Sequence, residues 1–185
     1  MINNESVILK EDLKKLIVNF FSLSTIKILG YLLPLLTFPY LIRVLGIEKF
    51  GLLMFAQATM FYFDIIIDFG FKLSATREIA VNVNSKTKIN QIISSVFIIK
   101  SFLLIFSFLI LYFIVNFFEK FNSESLLFYY SFIKVISLAF FPTWFFQGIE
   151  KMKYITIIDI FSKTLYTVAI FIFIDSESDY ILVPL

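Results

Sequence analysis

Between residues 50 and 80 the sequence reads FGLLMFAQATMFYFDIIIDFGFKLSATREIA. The first two-thirds of this stretch is apolar over about 20 residues, enough to cross a bilayer as one helix. Asp64 and Asp68 nevertheless stand inside it one turn apart, and Gln57 lies two turns before Asp64. At 100° per residue the three side chains fall within roughly 20° of a common line. An ionised carboxylate at mid-bilayer costs on the order of 3 kcal/mol even on lenient insertion scales, so it seldom faces lipid. The sequence therefore demands a helix with a protected polar side, packed against other helices or lining a water-filled cavity.

The rest of the chain agrees with a membrane setting. It is 59% hydrophobic with a mean hydropathy of +0.91, against about half apolar in a soluble domain, and the excess comes in blocks longer than a core helix needs. The expected fold is all-α: a polytopic transmembrane helix bundle with spans over residues 16–42, 50–71, 89–118, 125–147 and 154–174, and residues 180–185 opening a sixth. Residues 1–15 form a short segment before the membrane, and residues 16–185 the transmembrane lobe. The third span is longer than a bilayer requires, so it is tilted or extends past the lipid.

Charge and composition narrow the chemistry. Cysteine and histidine are both absent, which removes disulfides, zinc and haem sites, thiol nucleophiles and imidazole relays; no cofactor is expected. A net charge of +2 gives no argument for a nucleic-acid partner. The N-terminus mixes acidic and basic residues and lacks a small-residue cleavage site, so the first span serves as its own insertion signal. Lys10, Lys14, Lys15, Lys72, Arg77, Lys86, Lys88, Lys151 and Lys153 fall on one side of the spans, while Arg43, Lys49, Lys120 and the acidic loop Asp175, Glu177, Asp179 fall on the other. The basic excess puts the N-terminus in the cytoplasm. The closing YILVPL is apolar with no polar stop, and the sequence reads as the N-terminal piece of a longer protein.

Ionisable groups recur within the spans. Lys27 lies roughly 16 Å into the first helix, deep enough that snorkelling competes with a cavity-facing position; Ser24, Tyr31 and Pro34 share its face, and Pro34 and Pro39 should kink the helix. Lys134, about 13 Å into the fourth span, has Ser131 and Ser137 beside it and leaves the same alternatives open. Lys100 suits snorkelling or structural pairing. Asp159 precedes Lys163 by one turn between Thr156 and Tyr166, the favourable order for a helical ion pair. Asp64 and Asp68 either pair with Lys27, Lys134 or Lys163 to hold the bundle, or carry protons or a coupling cation, or hold Mg²⁺ on a diphosphate. A simple anchor has no use for so many buried charges; a transporter or a translocator of polar headgroups does.

Three segments carry a resemblance: LPLLTFPYLIRVLGIEKFGLLMFAQA (33–58), FDIIIDFGFKLSATREIA (63–80) and FFPTWFFQGIEKMKYIT (140–156). In this order and spacing the chain resembles the N-terminal half of bacterial polysaccharide exporters, the O-antigen and capsule repeat-unit flippases of the multidrug/oligosaccharidyl-lipid/polysaccharide exporter superfamily. The resemblance implies a non-enzymatic, two-lobed protein of the bacterial inner membrane, with six helices per lobe and a cationic cavity opening alternately to each side. It implies as cargo an undecaprenyl-diphosphate-linked oligosaccharide, and as further candidate partners the bilayer and other membrane proteins of polysaccharide assembly. Lys27, Lys134 and Lys163 are then the candidate substrate-binding residues, and Asp64 and Asp68 the candidate coupling residues. The family pattern also marks Arg43, Gly46 and Gly51 at one turn, Gly70 and Arg77 at the next, and Trp144, Gln147, Gly148 and Glu150 where the fourth helix leaves the membrane. Gly46 and Gly70 suit tight helix exits, Trp144 an interfacial belt that keeps its indole N–H wet, and Arg77 a carboxylate partner in Asp68 or Glu78. The alternative function is a drug or cation antiporter of the same superfamily, with the acidic pair as its main site.

Overall fold

The computed structural model describes residues 2–184, and side chains for residues 32, 33 and 35–184. The side chains of Lys27, Pro34 and the 1–15 segment lie outside the described residues. The elements are α1 (Ile2–Asp68), α2 (Phe71–Val81), α3 (Lys86–Phe117), α4 (Glu119–Asn122), α5 (Ser125–Phe140), α6 (Thr143–Gly148), α7 (Met152–Phe173) and a closing 3-10 helix (Glu177–Leu182), with no strand among the described residues. Among these residues four helical stretches are long and apolar enough to cross a membrane: Leu35–Val81, Lys86–Phe117, Ser125–Gly148 and Met152–Phe173. The chain is thus a polytopic helical bundle, with a different division of its spans from the expected one.

The first division is hidden inside α1. Gly46 has φ 75° and ψ 166°, a combination essentially confined to glycine. The rings of Phe38 and Phe50 lie 6.0 Å apart, whereas twelve residues of straight helix would separate them by about 18 Å. The chain therefore doubles back at Gly46, and α1 is two arms of a hairpin.

Sequence period explains how the arms pack. The second arm buries Leu53, Ala56, Met60, Phe63 and Ile67, steps of three and four that make one helical stripe. Facing it are Phe128, Phe132, Val135 and Ala139 of α5, and Leu111 and Val115 of α3. Away from this seam the large apolar side chains point outward: Phe61 is 62% exposed, Phe102 71% and Phe161 69%. Lipid tails are as apolar as these side chains, so such a surface is at home in a bilayer.

α3, with 32 residues, is about 48 Å long against a hydrocarbon core of about 30 Å. Its polar first third belongs to a second, smaller core, in which Ala75, Ile79, Val96 and Trp144 are buried among Phe71, Ile89, Ile92, Ile93, Phe145 and Ile149. α2, the start of α3 and α6 make this cluster at one end of the bundle. Pro142 separates α6 from α5, because the residue before a proline is driven out of the helical region; Phe141 is extended, at φ −80° and ψ 111°. The expected span over 125–147 matches the stretch Ser125–Gly148, which is broken into two helices at Pro142.

At the other end the 3-10 helix folds back against α1 and α5 and buries Tyr180 and Val183 in the main core. Residues 180–185 were expected to open a sixth span. Instead, Ser176 and Asp179 form a capping box that starts a tight turn, and the apolar residues after it cap the bundle.

Candidate functional site

Asp68 is the last residue of α1, and Lys100 reaches it from α3. Their Nζ and Oδ1 atoms are 3.4 Å apart, with the lysine side chain 4% exposed and the aspartate 39%. This pairing was not among the partners expected for the acids, which were Lys27, Lys134 and Lys163, and it decides between snorkelling and pairing for Lys100. A signal existed in the sequence. The buried residues of α3 are Val96, Lys100, Ser107, Leu111 and Val115, and their steps of four and seven put Lys100 on the inward stripe.

Asp64 lies one turn earlier, half-buried, and interacts electrostatically with Lys134 of α5 as well as with Asp68. Gln57 is half-buried in the same row, and Lys134 is exposed. The polar positions 57, 64 and 68 each follow a core position by one residue, which is about 100° around the helix. The polar row therefore runs along the edge of the dry seam, where it is shielded on one side and open on the other. Carboxylates and an amine placed this way can contact a polar group that passes beside the seam, while the core stays intact.

α7 carries a separate charge pair. Lys163 Nζ lies 2.8 Å from Asp159 Oδ2, with the two side chains 40% and 53% exposed. Tyr166 is exposed one turn on, and the Thr156 hydroxyl donates to its own helix at Met152 O. Of the three lysines expected to bind substrate, the structure thus brings Lys134 to the acidic row, gives Lys163 a partner on its own helix, and leaves the Lys27 side chain outside the described residues.

A family model described as "Polysaccharide biosynthesis protein" matches residues 16–185. The chain belongs to this family. It is 36% identical over 161 residues to a protein of Escherichia coli (strain K12) named "Putative O-antigen transporter", and 35% identical over 152 residues to one of the same name from Shigella dysenteriae. These matches cover 87% and 82% of the chain but 39% and 38% of the relatives, so the chain spans about two-fifths of their length. No solved structure is a significant match.

In this member of the polysaccharide biosynthesis family, the marked residues gather at the two ends of the bundle. Arg43 and Gly51 are exposed on either side of the Gly46 reversal. Gly70 (φ 81°) follows Phe69 (φ 41°), and these two left-handed residues redirect the chain from α1 into α2. Gln147 is half-buried, and Glu150 is exposed with a φ of 57°. Gly148 is a close-approach position: a Cβ there would sit 2.6 Å from Ile79 Cγ2, so glycine lets α6 touch α2.

Two expectations at this end are corrected. Trp144 is not in a wet belt; it is 1% exposed, and its Nε1 is buried without a hydrogen-bond partner. Pro142 turns α6 so that the indole goes under α2, where the Trp144 carbonyl accepts from Thr76 Oγ1 at 3.2 Å. Arg77 is exposed and has no ion pair among the described residues with either expected carboxylate; Asp68 is engaged by Lys100, and Glu78 is exposed.

One polar cluster escaped the sequence reading. Lys49 Nζ lies 3.2 Å from Glu124 Oε1, the Tyr180 hydroxyl donates to Glu124 Oε2, and the Lys49 ammonium sits 4.4 Å above the Tyr180 ring. Burial pushes the Tyr180 hydroxyl above its ordinary pKa, and the bond to Glu124 adds to the shift. The three residues come from distant parts of the chain, so no local spacing announces them.

Proposed function

We propose that this chain is the N-terminal portion of a translocator that carries undecaprenyl-diphosphate-linked oligosaccharide repeat units across the bacterial inner membrane for O-antigen or capsule assembly. It makes and breaks no covalent bond. The prenyl tail of such a cargo is at home in lipid, but its diphosphate and sugars are not, and a charge at mid-bilayer is costly. Moving the head requires a protein-lined polar route while the tail stays outside. Lys134, Lys163 and Lys27 serve the anionic head, and Asp64 and Asp68 couple the movement to a proton or cation. The excess of Lys and Arg on one side of the spans supports a cytoplasmic N-terminus.

What supports this function above all is a conjunction. A chain 36% identical to a protein named "Putative O-antigen transporter" holds Asp64 within electrostatic range of Lys134 on neighbouring apolar helices, at the open edge of the core. The test is genetic and chemical. Deleting the full-length gene should abolish surface polysaccharide and accumulate lipid-linked repeat units, and the intact gene should reverse both. A deletion strain with normal surface polysaccharide and no accumulation would overturn the transport function.

A further inference from the structure

The outer face of α2 is chemically odd for a helix in either water or oil. Leu73 is 81% exposed and Val81 75%, with Phe69, 74% exposed, just ahead of the helix. Between Leu73 and Val81, at steps of four, stands Arg77, exposed and without an ion-pair partner among the described residues. Residues four apart share a helix face, so this face is a row of bulky apolar groups with a guanidinium at its centre. The opposite face holds Ala75 and Ile79, buried under Trp144 and Gly148, so the outer row cannot roll inward. A water-facing helix would carry polar residues at 73 and 81; a helix facing acyl chains would not carry an arginine at 77. The combination suits the boundary between headgroups and acyl chains, where apolar side chains dip in and the arginine reaches back to phosphate.

The charges around α2 supply the sign of the partner. Lys72 and Arg77 on α2, Lys86 and Lys88 at the start of α3, Lys151 between α6 and α7, and Lys153 on α7 are all exposed, against Glu78 and Glu150. Clustered cations next to membrane spans attract anionic lipid headgroups. Phe69 and Gly70, both left-handed, break α2 from the axis of α1 and give it a direction of its own. We propose that the outer face of α2 is a lipid-binding surface for anionic phospholipid of the surrounding bilayer, with Leu73 and Val81 entering the acyl boundary and Arg77 binding the lipid phosphate.

The experiment uses the full-length protein in nanodiscs, and its readouts are independent of transport. A fluorophore on Leu73→Cys, attached to an otherwise cysteine-free background, is expected to be quenched by phospholipid brominated on its acyl chains. Native mass spectrometry should show phosphatidylglycerol retained in preference to phosphatidylcholine, with retention falling at least threefold in Arg77→Gln and largely recovered in Arg77→Lys. An unquenched label would overturn the proposal, as would crosslinking of the Leu73→Cys thiol to another protein segment or phosphatidylglycerol retention unchanged by Arg77→Gln. Each of these results would leave the transport function standing.

Discussion

Lys100 and Asp68 join α3 to the end of α1, an almost wholly buried ammonium held by a carboxylate that is partly open. The asymmetry means that the lysine depends on the aspartate more than the reverse. Removing Asp68 strands a cation inside the bundle, a loss of about 3 kcal/mol for a buried pair broken from one side. Asp68→Asn should therefore lower the folded yield of detergent-solubilised protein sharply, and Lys100→Met in the same chain should recover most of it. A double-mutant cycle on thermal unfolding measures the coupling; independent, additive losses would show that the contact is not what holds the two helices.

Lys134 and Lys163 should differ as cargo-binding residues. Lys163 already has Asp159 at 2.8 Å, whereas Lys134 is exposed on α5 with no salt bridge among the described residues. One hydrogen bond to a charged group contributes about 1.5–3 kcal/mol, or about tenfold and upward in affinity. Lys134→Ala should cut surface polysaccharide at least about tenfold at unchanged protein level, and Lys163→Ala several-fold less. Quantitative blotting of polysaccharide against protein checks the order, and equal or reversed effects would remove the distinction.

Gly46 and Gly51 offer a matched pair of alanine substitutions. Neither would bring a Cβ within 4 Å of another atom, but only Gly46 has a positive φ. Gly46→Ala should cost about 1–3 kcal/mol through backbone strain alone. Gly51→Ala, inside the second arm of α1, should be neutral or gain up to about 1 kcal/mol of helix propensity. Thermal shift of the purified variants decides it.

The cap at the end of the chain should respond to acid. The Ser176 hydroxyl and the amides of Ser176 and Asp175 all donate to Asp179, and these bonds hold its carboxyl below the ordinary carboxylate range. A pKa lowered by folding contributes stability that is complete above the unfolded value and disappears as pH falls through the folded one. The amides at 175 and 176 should stay protected from hydrogen exchange down to about pH 4 and lose protection below it, and Asp179→Asn should flatten that dependence. Protection that falls already at pH 6 would point to a different group.

Most of the architecture was legible because it follows from period and hydropathy. The stripe 53, 56, 60, 63, 67 and the polar row one residue beyond it are both readable on a helical wheel, and the reversal before residue 50 carried a glycine as its marker. What escaped depends on contacts between distant segments. Lys100 was visible as an inward position of α3, but its partner could not be chosen without knowing which helix lies opposite. Trp144 was misplaced because an unbroken span over 125–147 leaves it at the membrane end; in the structure Pro142 breaks that span and starts a separate helix that turns the indole inward. Lys49, Glu124 and Tyr180 meet through the folding back of the 3-10 helix, which no nearby residue encodes.

Thr76 and Trp144, joined by the hydrogen bond from one to the carbonyl of the other, are 68 residues apart in the chain. During synthesis α2 emerges long before the segment that will cover Ile79, with α3 and α5 still to be threaded through the translocon in between. Until α6 arrives, the nascent α2 has only the start of α3 against its inner side, and the small end cluster is complete before the main core, which still waits for Ile170, Ile174, Tyr180 and Val183.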